Sequence, residues 1–332
     1  MGAWRAQSLR AVTRVGEPKS GPAQNGDSPL HRNQTAVLGV DLASARWADV
    51  GTALVWCDGG AGDGGAIARV ATGVIEWPAH APVSADALAD AIHACAVRES
   101  VAAVALDGPH AWRDPARGAE GPGVGRLAEF AVRAQCKTGV YPRTFPGTQV
   151  AWTRLSIAVF DALLAHEGVR LATPEDARRP DGAQAAGDAR AGAVSVGADA
   201  GASPAGAGYL LLESFPTAIW RAAGLTPLPA KSRRPDVAAF YARLADAFAL
   251  PAAKVASHDD LQALVAALVG VGLAGGPVEV RAHGAPHGEV SHADGPHRVE
   301  GWIWAACPMP REKKSGPAQN GDSPPHTTPS RA

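Results

Sequence analysis

Residues 35–47 read TAVLGVDLASARW, an apolar run that ends on one acid, Asp41, followed by small residues and Trp47. An apolar, β-branched-rich run of this length bounded by small residues predicts a buried strand. An acid at the tip of such a strand either caps the strand end or binds a ligand. The rest of the chain has to decide between the two.

Working outward, further strands are expected at 51–57, 66–76, 101–107 and 208–213. The connection Asp58–Gly65 contains five glycines, which suits an antiparallel hairpin, so the first three strands are expected to run antiparallel. Ser84 reads as a helix N-cap, with Asp86 in the first turn and Leu88, Ile92 and Cys95 at helical spacing behind it. Helices are also expected at 124–136, at 148–167, after Pro216, after Pro235 and at 258–273. The sum is an α/β domain, a mixed five-stranded sheet with flanking helices. Three of its strands end on a carboxylate, Asp41, Asp107 and Glu213, and the last helix opens with Asp259 and Asp260. The C-terminal strand ends of such a sheet collect at one edge, where ligands bind, so these acids are expected to share a site.

Composition limits the alternatives. The chain has 332 residues and a formal net charge of −1, so no overall field draws it to nucleic acid and any such binding must use a local patch. Cys57, Cys95, Cys136 and Cys307 form no CxxC pair, which argues against a zinc site or disulfide framework and fits a reducing compartment such as the cytoplasm. No apolar run approaches the ~20 residues of a membrane span. The arginine-bearing N-terminus lacks the apolar segment of a secretory signal. KSGPAQNGDSP occurs at 19–29 and again at 314–324, and its composition cannot bury a core. Residues 1–34 and 309–332 are therefore read as disordered tails around a domain at 35–308. Residues 175–207, almost all small or polar, read as a flexible insertion within that domain.

At this point the chain resembles a known family. GVDLA (39–43) with Trp47, ALDGP (105–109), ESFPTAIWRAAG (213–224) followed by Pro229 and Lys231, SHDDLQALVAAL (257–268) and EGWIW (300–304) resemble the predicted RNase H-like nucleases of domain of unknown function 429. The resemblance implies an RNase H-like fold and cleavage of phosphodiester bonds in DNA or RNA by a carboxylate site holding Mg²⁺ or Mn²⁺. It implies Asp41 as the central ligand, Asp107 as the second and Asp259 from the last helix as the third. Glu213, Asp260, His258 and Lys231 are supporting candidates. One position departs from the pattern: Gln262 stands where a second acid of the last helix is expected. A weak catalyst that keeps the fold and binds or regulates is the alternative.

Substrate contact would come from local basicity. Between residues 113 and 154 there are seven Lys/Arg against three acids, and Arg113, Arg126, Arg133, Lys137 and Arg143 are the candidate nucleic-acid contacts. Trp112, Tyr141 and Phe145 lie among them, either as stacking platforms or as core edges. His283, His287, His292 and His297 lie in a Gly/Pro-rich stretch that reads as a solvated connection before EGWIW. No GxSxG elbow or GxxxxGK[ST] phosphate loop is present. The sugar-kinase and actin-like class is disfavoured because Asp41 is not followed by the Gly-rich hairpin it uses.

Overall fold

The structure, a computed structural model, describes residues 34–42, 46–58, 65–77, 83–118, 121, 123–134, 137–178 and 208–309. The two KSGPAQNGDSP segments, Cys136 and nearly all of both expected tails and of the insertion lie outside the described residues. Strand β1 (Gln34–Leu42) is central. It pairs antiparallel with β2 (Val50–Asp58) over its whole length, and β2 pairs antiparallel with β3 (Ile67–Thr72). On its other side β1 runs parallel to β4 (Val101–Asp107), and β4 runs parallel to β6 (Leu210–Ser214). The two-residue β5 (Arg170–Leu171) also pairs with β6. A long hairpin of β7 (Val278–His292) and β8 (Gly295–Pro308) joins through β8, which is parallel to β6. The sheet order is β3-β2-β1-β4-β6-β8-β7.

Among the described residues the sheet thus has eight strands, not five. Of the three extra strands, the sequence foresaw only the EGWIW part of β8. The stretch with four histidines is not a loop but the outer part of this hairpin. Its Gly/Pro/His composition hides the alternation that marks a strand. A bulge between Ala285 and Gly288 takes up Pro286, which has no N–H for a ladder. The Tyr141 ring stacks on His297 with centroids 3.7 Å apart and supports the outer end.

Both faces of the inner strands are covered, which is why they read as continuous apolar runs. Leu38, Val40 and Leu42 face α1 (Ala85–Arg98) and α3 (Val150–Leu164), while the short α2 (Leu127–Ala131) lies between these two in sequence. Ser84 caps α1 as expected, its hydroxyl accepting from the Ala87 amide at 3.1 Å. The opposite face carries α4 (Pro216–Ala222), α5 (Val237–Phe248) and α6 (His258–Leu273). Helix α6 is buried along almost its entire length.

Close backbone approach explains two glycines. A Cβ on Gly39 of β1 would lie 2.0 Å from the Ala263 carbonyl oxygen, and one on Gly51 of β2 would lie 2.1 Å from the Asp259 carbonyl. Gly39→Ala is expected to cost about 3 kcal/mol, because two backbones rather than a flexible side chain must part. Gly121→Ala, where the new methyl would meet nothing within 4 Å, is the control expected to stay within about 0.5 kcal/mol. Urea titration of the two variants checks the difference.

Candidate metal centre

Three elements build the site. Asp41 and Asp107 are directly paired residues at the C-terminal ends of parallel strands β1 and β4, so their side chains leave the same face of the sheet. Gly51 pairs with Asp41 on the other side, and the start of α6 rests on Gly51. That contact brings Asp259 to Asp41. Ser257 fixes the helix start by accepting from the Asp260 amide at 3.0 Å.

Asp41, His258 and Asp259 each offer one ligand atom within 4.8 Å of the others. Ligands about 2.1–2.2 Å from a common ion lie about 3–4.4 Å apart, so the trio is within a few tenths of an ångström of ion-binding spacing. The imidazole adds a second indication. His258 Nε2 lies 3.0 Å from the Pro229 carbonyl, to which it can only donate, while Nδ1 lies 3.1 Å from Asp259 Oδ1. In the neutral ring Nδ1 then presents a lone pair to a carboxylate oxygen, and a cation or a proton has to sit between them. A ring N–H anchored on a backbone carbonyl is the usual support of a metal-bound histidine. Ser214, beside Asp107 in the strand register, is 1% exposed, and its hydroxyl has no hydrogen-bond partner. The residues present therefore fit a divalent cation. The nitrogen donor suits Mn²⁺ better than Mg²⁺, which favours oxygen alone.

Electrostatics agree with the geometry. Burial pushes the Asp41 carboxyl well above the usual carboxylate range, the negative charges of Asp107 and Asp259 push it further, and Lys231 only partly offsets them. Burial also raises Asp107, to about 7, against the pull of Lys137. Lys231 Nζ lies 2.5 Å from Asp259 Oδ2 and 2.8 Å from Asp49 Oδ1, and these two bonds hold its ammonium charged. Asp49 escaped the sequence reading. The signal that would have found it is its position two residues before Gly51, where α6 touches down.

Several expected site residues serve elsewhere. Asp107 stands beside Asp41 but outside the trio. Asp260 accepts from the Thr52 amide at 3.2 Å and from the Ser257 hydroxyl at 2.8 Å, so it ties α6 to β2. Gln262 accepts from Trp220 Nε1 at 3.3 Å, a packing contact on the α4 side. Glu213 is one residue out of phase with Asp107 and points to the other face. There it accepts from Arg126 Nη1 at 2.9 Å and meets His110 Nδ1 at 2.6 Å. Burial pushes its carboxyl up, but Arg126 and His110 outweigh this and hold it at about 2. Glu213 thus acts on the carboxylate site only through space, its charge helping to raise the Asp107 carboxyl.

The basic stretch divides in the same way. Arg113 and Arg126 are 1% and 0% exposed, too deep to meet a nucleic-acid backbone. Arg113 bonds the Arg117 carbonyl at 3.0 Å, and Arg126 neutralises Glu213. Trp112 is core. Arg133 and Arg143 are exposed and Lys137 is half-buried. Lys137 Nζ stands 5.4 Å from the ring centre of Trp152, whose indole N–H donates to the Leu42 carbonyl one residue beyond Asp41. Lys137 and Trp152 therefore border the site. The first residues of the expected insertion are also built in: Asp176 is buried and takes a bidentate pair from Arg170, at 2.6 and 2.9 Å.

Compared with protein-family models, with curated proteins and with solved structures, the chain matches none. Among the described residues no helix is long and apolar enough to cross a membrane.

Proposed function

We propose that the chain is a divalent-metal-dependent nuclease on an RNase H-like fold. The strand order β3-β2-β1-β4-β6, with an acid at the end of the central strand and the last helix laid across it, supports the fold reading. The observation that carries the function is the convergence of Asp41, His258 and Asp259 at the C-terminal sheet edge, bordered by Lys231 and Lys137.

In this reading Asp41, His258 and Asp259 would hold the cation, which would supply the positive charge that polarises the phosphate and steadies the departing oxygen. Lys137 and Lys231 pair with phosphate oxygens and align the backbone. Trp152, half-buried beside Lys137, presents a ring edge to a sugar or base. Asp107, with its carboxyl at about 7, is matched to taking a proton from the attacking water at neutral pH. The water oxygen bonds to phosphorus, the bridging P–O bond breaks, the departing oxygen takes a proton from solvent, and the products are a phosphate monoester and a hydroxyl end.

Purified chain is expected to cleave single-stranded, duplex, hybrid or branched nucleic acid with Mn²⁺ better than with Mg²⁺, and not at all with excess chelator. Asp259→Asn is expected to lower the rate at least about 10³-fold. Cleavage that persists in chelator, or that Asp259→Asn leaves intact, overturns the assignment. Binding without cleavage replaces it with a nucleic-acid-binding role.

A further inference from the structure

We propose that Lys231 supplies the second positive charge of this site, so that the chain binds one divalent cation where a paired-ion centre would bind two. The inference rests on the metal reading above.

The two oxygens of Asp259 have different neighbours. Oδ1 faces His258 Nδ1 at 3.1 Å, inside the trio with Asp41, and Oδ2 faces Lys231 Nζ at 2.5 Å. A carboxylate shared between two ions gives one oxygen to each, and the ions sit ~3.5–4 Å apart. Here the ammonium takes the place of one of them. Its second anchor is Asp49, a buried carboxylate that also pairs with Arg46 at 2.5 Å. Asp107, the remaining acid, stands beside Asp41 and under the influence of Lys137 instead.

The local chemistry favours a lysine in this role. An ammonium is a compact point charge with three donors, and two of them are on Asp49 and Asp259. The Lys231 side chain is 52% exposed, so the head is reachable from solvent and its third N–H can meet a phosphate oxygen. The residue sits on a short 3-10 turn, Lys231–Arg233, two residues after the Pro229 carbonyl that anchors His258. The turn that carries the lysine therefore also orients the metal-binding imidazole.

The test is the stoichiometry of Mn²⁺ on the full chain, measured by isothermal titration calorimetry and by the EPR signal of free Mn²⁺. Wild type is expected to bind one ion. Lys231→Met is expected to bind two, the second at least tenfold tighter than any second event in wild type, and Lys231→Arg is expected to bind one. Lys231→Gln replaces the Met variant if circular dichroism shows that the latter is unfolded. Two ions in wild type, or one ion in both wild type and the Met or Gln variant, overturn the lysine's role and leave the metal reading standing. No Mn²⁺ bound by any of these proteins overturns the metal reading, and this inference with it.

Discussion

Asp41→Asn is expected to raise the thermal midpoint of the metal-free protein by a few degrees and to abolish the further rise that Mn²⁺ gives the wild type. Asp41 is 4% exposed, and burial together with Asp107 and Asp259 raises its carboxyl far above the ordinary range. At neutral pH the folded chain must therefore either carry an unwelcome charge there or take up a proton. Asparagine removes that penalty at nearly the same volume, and a gain of about 1–3 kcal/mol corresponds to a few degrees for a domain of this size. The sign with pH follows from linkage. A carboxyl whose folded value is raised costs nothing below its unfolded value near 3.8, and the cost grows as pH rises toward the folded value. The gain should thus vanish near pH 4 and grow as pH rises from there. On the proposed metal reading, Mn²⁺ at a hundred times its dissociation constant would add about 2.7 kcal/mol to the wild type, and the variant should show none of it. Differential scanning fluorimetry with chelator and with Mn²⁺, at pH 5 and pH 8, reads both effects. A lower midpoint in chelator, or a surviving Mn²⁺ shift, contradicts the assigned role of Asp41.

Arg126→Met should act in the opposite direction and harder. It leaves Glu213 buried, ionised and held by His110 alone, and breaking a buried pair in this way costs about 3–5 kcal/mol. Adding Glu213→Gln should recover part of that loss, since the charge at 213 is then gone while the buried Glu129, 3.5 Å from Arg126 in the wild type, still lacks its cation. The wild-type pair also predicts acid sensitivity. Glu213 is held at about 2 against a reference of 4.5, so its contribution is complete above about pH 4.5 and is lost as pH falls from there toward 2. Urea titration at pH 7 and pH 3 separates these variants. On the proposed nuclease reading, the double variant should retain the wild-type salt slope of nucleic-acid binding, because an internal arginine releases no counterions from a phosphate backbone.

These two variants also mark how far the sequence could be read. Asp41 was legible because a strand-like run must end somewhere and an acid at its tip is conspicuous. The Ser84 cap and the start of the last helix were legible for similarly local reasons. Glu213 looked identical to Asp41 in sequence, yet a shift of one residue in register sends it to the other face. Arg113 and Arg126 counted toward a basic patch because composition records charge and not its partner. The link from Lys231 to Asp49 spans 182 positions, and no local pattern announces it. The β7–β8 hairpin was missed, apart from the EGWIW part of β8, because ladder pairing across its own turn, not apolar periodicity, holds its outer half.

The contact of α6 with bare backbone at Gly39 and Gly51 has a kinetic consequence. A helix seated on two strands without intervening side chains cannot slide or tilt unless the sheet itself opens. Its amides belong to the slowest-exchanging part of a fold, the part that opens only with global unfolding. Asp41 and Asp259 therefore hold their spacing for as long as the fold stays closed, and motion at this centre is left to the Lys231 turn at its rim.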